Sequence, residues 1–390
     1  MTYEESLAWL YSTQQFGIKL GLDNIRGLLR ALGDPQEGLS FLHVAGTNGK
    51  GSVCAMLDSI LRAGGRRTGL YTSPHLVDFR ERIRVSGEKI SQEAVQRGLE
   101  VLRELAADWT HSPTFFELAT ALALRHFAES GCEFVVLETG MGGRLDATNA
   151  IVPLVSVITP VALDHTHWLG TSLPEIAWEK AGIIKPGVPV ICARQEPQAA
   201  AVIIRRAEEL GCSLQSIERP LDGREVGLRG VHQRENAAVA VAALEAAGLK
   251  ISDDAIAQGL RDIRWPGRFQ IIAERLVLDG CHNPHAAARL LLNWREAFGG
   301  EKAAIIFGAL GDKDFSTMLE ILTPIGREVC FVPVRSERSA APETLASACT
   351  LPHRVFASAK DALAATQGRT LVTGSLFLVG EVLELLGFEP

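Results

Sequence analysis

The most specific chemistry in this chain is written around one short loop. An apolar run, FLHVA, passes directly into Gly46, Thr47, Asn48, Gly49, Lys50, Gly51 and Ser52, and these open onto the helical pattern VCAMLDSILRAG. Glycines let backbone N–H groups converge on phosphate oxygens, while a helix N-terminus and a lysine add positive charge. The segment is therefore read as a cradle for a nucleotide polyphosphate. Gly51, inserted between Lys50 and Ser52, puts it out of phase with the standard GxxxxGK[ST] pattern. A glycine-rich turn with a surface lysine is the plainer alternative, but the strand before and the helix after favour the cradle.

A second chemical signal is Glu138, at the carboxyl end of the apolar run EFVVLE. Open α/β sheets place ligands beyond the carboxyl ends of their strands. A carboxylate buried there is costly unless a cation accompanies it, and a hard oxygen donor beside phosphates suits Mg²⁺. Further along, Arg268 follows the turn Trp265-Pro266-Gly267, where a guanidinium can grip phosphate in bidentate fashion. Asp279 ends the run LVLD, and Asn283-Pro284 makes a good helix start, with asparagine as cap and proline in the first turn. His232 to Asn236 begins another helix and by spacing alone is a polar helix start.

These residues need a scaffold, and the patterning indicates an α/β one. Strand candidates at Phe41 to Ala45, Thr68 to Tyr71, Glu133 to Glu138, Leu154 to Thr159 and Val188 to Cys192 alternate with helical stretches at Ser52 to Arg62, Ser91 to Ala107, Phe116 to Glu129, Glu196 to Leu210 and Glu235 to Ala247. Such alternation is the mark of a mostly parallel sheet flanked by helices. The alternation restarts after residue 267, with strands expected at Arg275 to Asp279, Ala303 to Phe307, Glu328 to Val332 and Thr370 to Thr373. A large ATP-binding domain over residues 1–267 and a smaller Rossmann-like α/β domain over 268–390 are therefore expected.

The bulk properties agree with a globular enzyme. The chain has 390 residues, a formal net charge of -7, 47% hydrophobic and 22% charged residues, and scattered basic residues, which argues against a nucleic-acid surface. The start carries no basic segment followed by a long apolar run, and the longest apolar stretch, Ala150 to Leu163, is broken by Pro153 and Pro160, so neither a secretory signal nor a membrane span is expected. Seven widely spaced cysteines without a CxxC pair read as reduced thiols, consistent with a cytoplasmic location.

The loop GTNGKGS is similar to that of the Mur ligase superfamily. The stretches TSPHL (Thr72 to Leu76), RERI (Arg80 to Ile83), TFFE (Thr114 to Glu117), ETGMGGRLDATN (Glu138 to Asn149), LDHTHWLG (Leu163 to Gly170) and EKAGIIKPGVP (Glu179 to Pro189) resemble the folylpolyglutamate synthase/dihydrofolate synthase family, as do HQRENA, WPGRFQ and DGCHNPHA. Together they are spread over most of the chain.

The resemblance implies an ATP-dependent ligase that joins a folate or dihydropteroate carboxylate to L-glutamate through an acyl phosphate, with both activities in one chain. It implies Mg²⁺, with two ions, at Ser73, Glu138, His165 and a carbamylated Lys180; nucleotide contacts from the loop, Asn236, Arg268 and Asp279; His282 at the reaction centre; and Phe115, Phe116, Arg82 and Asp146 on the acceptor side. The early GIKLGL stretch around Leu20 joins that side. A monomer is the family's usual state.

From the residues alone, His165 can equally be a hydrogen-bonded loop histidine, Lys180 a lysine paired with Glu179 or Glu175, and either phenylalanine plain helix-face packing. The nearest rival is another amino-acid ligase of the superfamily, which would share the ATP machinery but not TSPHL and TFFE. A nucleotide-binding protein without ligase activity is the rival from another class.

Overall fold

The computed structural model of the chain describes residues 1–16, 21–107 and 109–388, so most of the GIKLGL stretch lies outside the described residues. Two sheets organise the molecule. The first holds β1 (Ser40–Ala45), β2 (Thr68–Tyr71), β3 (Ile83–Val85), β4 (Glu88–Lys89), β5 (Phe134–Glu138), β6 (Val155–Ile158), β7 (Val190–Ala193) and β8 (Leu214–Ile217), in the order β4-β3-β2-β5-β1-β6-β7-β8. The second holds β9 (Gln270–Ile272), β10 (Leu276–Leu278), β11 (Ala303–Phe307), β12 (Gly326–Phe331), β13 (His353–Val355) and β14 (Thr370–Thr373), in the order β13-β12-β11-β14-β10-β9.

Parallel pairing prevails in both sheets, with antiparallel edges at β2-β3-β4 and at β9-β10. Buried parallel strands need apolar side chains on both faces. β1 supplies them with FLHVA, every residue of it buried. It lies at the centre, between β5 and β6, with Val44 level with Glu138 on one side and with Val157 on the other. The connections diverge there, which makes the carboxyl end of β1 the switch point where a ligand crevice opens.

Helices cover both faces of the first sheet. One face packs on the helices Lys50–Ala63, Val231–Ala246 and Asp253–Asp262, the other on Tyr3–Ser12, Asp23–Ala31, Gln92–Leu105 and Phe115–Glu129. The second sheet is sandwiched likewise, by Pro284–Phe298 and Phe315–Leu322 on one side and Ala359–Ala365 and Leu376–Leu385 on the other. Among the described residues no helix is long and apolar enough to cross a membrane.

The strands expected from the sequence are present to within two residues at each end. The helix expected from Ser52 begins instead at Lys50, so the lysine itself occupies the first turn. Two kinds of element escape the pattern. β3 and β4 are three and two residues long within the charged run RIRVSGEK, and β8, LQSI, is half exposed, so none carries an apolar stretch. The amphipathic helices Tyr3–Ser12, Asp23–Ala31 and Asp253–Asp262 were also not anticipated.

The last of these helices fixes the one that carries Lys50. Gly259 lies so close to it that a Cβ would stand 2.5 Å from the Ile60 Cα, and the Ser59 hydroxyl donates to the Gly259 carbonyl at 2.7 Å. Helix propensity alone favours alanine over glycine by ~1 kcal/mol. Overpacking against rigid backbone costs about 1–3 kcal/mol and should win. Gly259→Ala is therefore expected to lower the urea midpoint followed by helical circular dichroism, and a raised midpoint would refute this packing argument.

Candidate active site

The first-sheet residues singled out from the sequence gather at the carboxyl ends of β1, β2, β5 and β6. In the loop after β1, the Thr47 and Asn48 amides donate to the Pro160 carbonyl at 3.0 and 3.2 Å, and the Thr47 hydroxyl bridges to the Ala162 backbone. Gly49 has φ of 90°, and a Cβ there would meet the Asn236 Oδ1 at 2.7 Å. This close approach brings Asn236, from the helix Val231–Ala246, against the loop, while its amide donates to Gln233 at 3.0 Å. Ser52 is buried in the first helical turn.

Two ammonium groups converge on one loop carbonyl. Lys50 Nζ donates to the Gly46 oxygen at 3.1 Å, and Lys180 Nζ, from the helix Leu173–Ala181, donates to the same oxygen at 2.8 Å. Lys180 is 3% exposed. Burial, and then the charge of Lys50, bring its amine down from the usual lysine value to about 7. Among the described residues no carboxylate lies within ion-pairing distance of it: Glu179 pairs instead with Arg144 at 2.8 Å, and Glu175 caps its own helix through Ser172.

Glu138 ends β5 with Oε2 accepting from the Ser73 amide at 3.0 Å. Burial raises its pKa, opposed by the positive charges of Lys50, Arg268 and Arg82. It has no ion-pair partner within 4.0 Å among the described residues, and neither has Arg268. A buried oxygen donor that its surroundings leave short of positive charge fits a hard divalent cation. Among the described residues no three His, Cys, Asp or Glu side chains cluster as a complete metal site. Mg²⁺ that keeps waters and bridges to phosphates needs fewer protein ligands. His165 stands in a left-handed backbone conformation, φ 50°, and burial lowers its pKa to about 4, so it is neutral and able to donate a lone pair.

The second sheet contributes its own carboxyl ends. Asp279 follows β10, and its two oxygens accept from the Phe269 and Cys281 amides, each at 2.9 Å, which staples the backbone on either side of Arg268 and His282. The His282 Nδ1 lies 2.8 Å from the Gly280 carbonyl. A carbonyl can only accept, so the proton sits on Nδ1 and Nε2 is left with its lone pair. Burial lowers the pKa of the ring, opposed by Asp164, whose Oδ2 lies 3.6 Å from Nε2.

The acceptor-side candidates divide into two groups. Phe115 stacks on Tyr11 at 5.5 Å, meets Phe79 edge-on, and has the Arg82 guanidinium 5.2 Å above its ring. Arg82 is 8% exposed and donates from Nε to His75 Nδ1 at 2.8 Å; no acid pairs with it within 4.0 Å among the described residues. Phe116 packs under the loop after β5, where a Cβ on Gly140 would meet its ring at 2.6 Å. Asp146 braces that same loop, accepting from the Thr148 amide and hydroxyl and from the Met141 amide.

Sequence reasoning missed Tyr11 and His75 as partners of this aromatic group, and it passed over Asp164 and Lys313. The charged triplet DKD, which closely follows the buried strand AAIIF, was the available signal for Lys313.

Two lobes that meet at their strand ends, around a glycine loop and a hinge arginine, define a Mur ligase. The Mur ligase middle domain matches residues 44–214, and the Mur ligase glutamate ligase domain matches residues 267–379. The chain is 33% identical to the dihydrofolate synthase/folylpolyglutamate synthase of Bacillus subtilis, over 97% of this chain and 98% of that one. It superposes on the folylpolyglutamate synthase of Mycobacterium tuberculosis complexed with ADP with a TM-score of 0.91 and 31% identity, over 100% of both chains. On Escherichia coli FolC in complex with DHPP and ADP the TM-score is 0.88 and the identity 34%, covering 98% and 97%. The chain belongs to the folylpolyglutamate synthase/dihydrofolate synthase family.

The loop geometry yields a direct test. At a φ of 90° and with Asn236 so close, Gly49→Ala strains the backbone and displaces that amide. Calorimetry should show ADP affinity falling at least ~10-fold, a loss of about 1.4 kcal/mol. Unchanged affinity would mean that the nucleotide does not lie on this loop.

Proposed function

We propose that this protein is an ATP-dependent ligase that adds L-glutamate both to dihydropteroate and to folates, and that it acts as a cytoplasmic monomer. The observation that carries this reading is the cleft itself, where Lys50 and Lys180 meet on the phosphate loop while the buried Glu138 and the half-buried Arg268 have no ion-pair partner within 4.0 Å among the described residues. The relatives solved with ADP and DHPP support it, as does the double name of the Bacillus subtilis relative. The seven free cysteines of this chain, five of them buried, accord with a reducing compartment.

In this reading a carboxylate of the acceptor takes the γ-phosphoryl group, because a carboxylate is otherwise too poor an electrophile to form an amide. Lys50 and Arg268 neutralise the transferring group, which is the main protein contribution in such transfers. The glutamate amine then attacks the acyl carbon and phosphate leaves. His282 has an unprotonated Nε2 and can take the proton that the amine loses.

Mg²⁺, held by Ser73, Glu138 and His165, would supply further charge neutralisation, and a carbamylated Lys180 would serve a second ion. The low pKa of Lys180 supports that modification, since CO₂ adds to the neutral amine. Arg82, buried beside the Tyr11–Phe115 stack with no acid within 4.0 Å among the described residues, is suited to hold a carboxylate of an aromatic acceptor.

Product masses after incubation with ATP, Mg²⁺, glutamate and either dihydropteroate or a reduced folate should each rise by one glutamate residue. Failure with both acceptors removes the proposal. Arg268→Ala is expected to lower kcat ~10³-fold with little change in ATP affinity, and an unchanged kcat would take the hinge arginine out of the reaction. Because the fraction of neutral Lys180 grows as pH rises through about 7, bicarbonate should leave a mass gain of one CO₂ on the protein above that pH and much less below it. A Lys180→Ala variant that shows the same gain would sink the assignment.

A further inference from the structure

The lobes also meet at a set of polar contacts, one of which reaches the phosphate loop through Asn48, while Asp164 Oδ2 lies 3.6 Å from His282 Nε2. Asp164, in the loop after β6, accepts from Lys313 Nζ at 2.6 Å, and the two side chains are 5% and 7% exposed. Lys313 lies in the segment that follows β11 of the second sheet. The other oxygen of Asp164 accepts from Asn283 Nδ2 at 3.1 Å. Asn283 in turn exchanges amide hydrogen bonds with Asn48 of the phosphate loop, at 3.1 Å in one direction and 3.3 Å in the other, while its Oδ1 also caps the helix Pro284–Phe298. Asn48 Nδ2 reaches His285 Nδ1 at 3.0 Å as well.

A buried ion pair adds little to stability over an apolar contact, because desolvation offsets the attraction; its better-supported use is to specify one arrangement. Here each partner belongs to a different lobe. If the lobes part, the aspartate and the lysine lose each other, and the asparagine loses both its acceptors in the first lobe. Two bodies joined in this way have one preferred register, and the phosphate loop is part of it through Asn48. Ligation needs Arg268 and His282 of one lobe aligned on Lys50 and Glu138 of the other, and a misplacement near 1 Å can cost ~10²-fold in rate.

We propose that Asp164 and Lys313, with the Asn48–Asn283 amide pair, form an interlobe clamp that sets the productive register of the two lobes. These are positioning residues for the glutamate ligation, and the inference rests on the ligase reading above. The clamp works through geometry, so its loss should appear in kcat and in the overall dimensions of the molecule, with nucleotide affinity largely retained.

The test compares wild type, Asp164→Asn, Lys313→Met and the double variant. Steady-state kinetics with ATP, glutamate and a reduced folate are read beside ADP calorimetry and small-angle scattering. Each single variant should lose ~10²-fold in kcat and show a larger radius of gyration, and the double variant should be no slower than the worse single one. Losses that multiply in the double variant, or a kcat and radius like wild type, would overturn the clamp. Should Asp164→Asn not fold, Lys313→Met and the charge-keeping Lys313→Arg carry the comparison, with Arg expected to recover part of the rate and radius. A wild-type protein that adds no glutamate would instead defeat the ligase reading, while the scattering comparison would still decide the clamp.

Discussion

Charge held inside the protein without an opposite charge in contact is the constraint on which the rest of this structure turns. Among the described residues Glu138 and Arg82 are buried without an ion pair, the half-buried Arg268 has none either, and Lys180 is buried against a carbonyl. Left to themselves such groups are costly, and a fold keeps them only where surrounding packing over-determines their positions. Here the packing is the parallel sheet: β1, β5 and β6 are apolar on both faces and end together, so that the polar groups emerge from rigid strands at one edge. The electrostatic deficit left at that edge is what a triphosphate and its cations can fill.

The second lobe is organised on the same plan and turned to face the first. Its contribution is less a separate binding surface than a set of groups held at strand ends: Asp279 after β10, and the DKD segment after β11. Asp279 spends both oxygens on backbone amides, so its visible work is to hold the turn that aims Arg268 and His282. Similarly, Asp146 holds the loop against which Phe116 packs. Asp279 and Asp146, named from motif resemblance, thus have an evident structural duty, which suits loops that must be rigid to position neighbouring groups.

Much of the architecture was legible because it is written in contiguous signals. FLHVA followed by GTNGKGS specifies a strand, a turn and a helix start within the twelve residues from Phe41 to Ser52, and the apolar runs ending at Glu138 and at Asp279 announce strand ends. What stayed hidden depends on partners far apart in sequence. The lack of a counter-ion for Arg82 is a fact about three-dimensional surroundings. Tyr11 sits in a helix whose pattern is weak, yet it stacks on Phe115. Asp164 and Lys313 lie 149 positions apart and become a pair only when two sheets oppose their edges. β3 and β4 escaped notice because edge strands of two or three charged residues have no apolar rhythm to detect.

The strands of the first sheet span residues 40–217 and those of the second 270–373, with no strand exchanged between them. During ribosomal synthesis each lobe can therefore condense once its own segment has emerged, the N-terminal one first. Such a nascent half already has its glycine loop, Lys50 and the buried Lys180, but it lacks everything that follows the hinge. Arg268, His282 and Lys313 thus reach the cleft only after the last third of the chain has been made, and the arrangement of groups across the two lobes is complete no earlier.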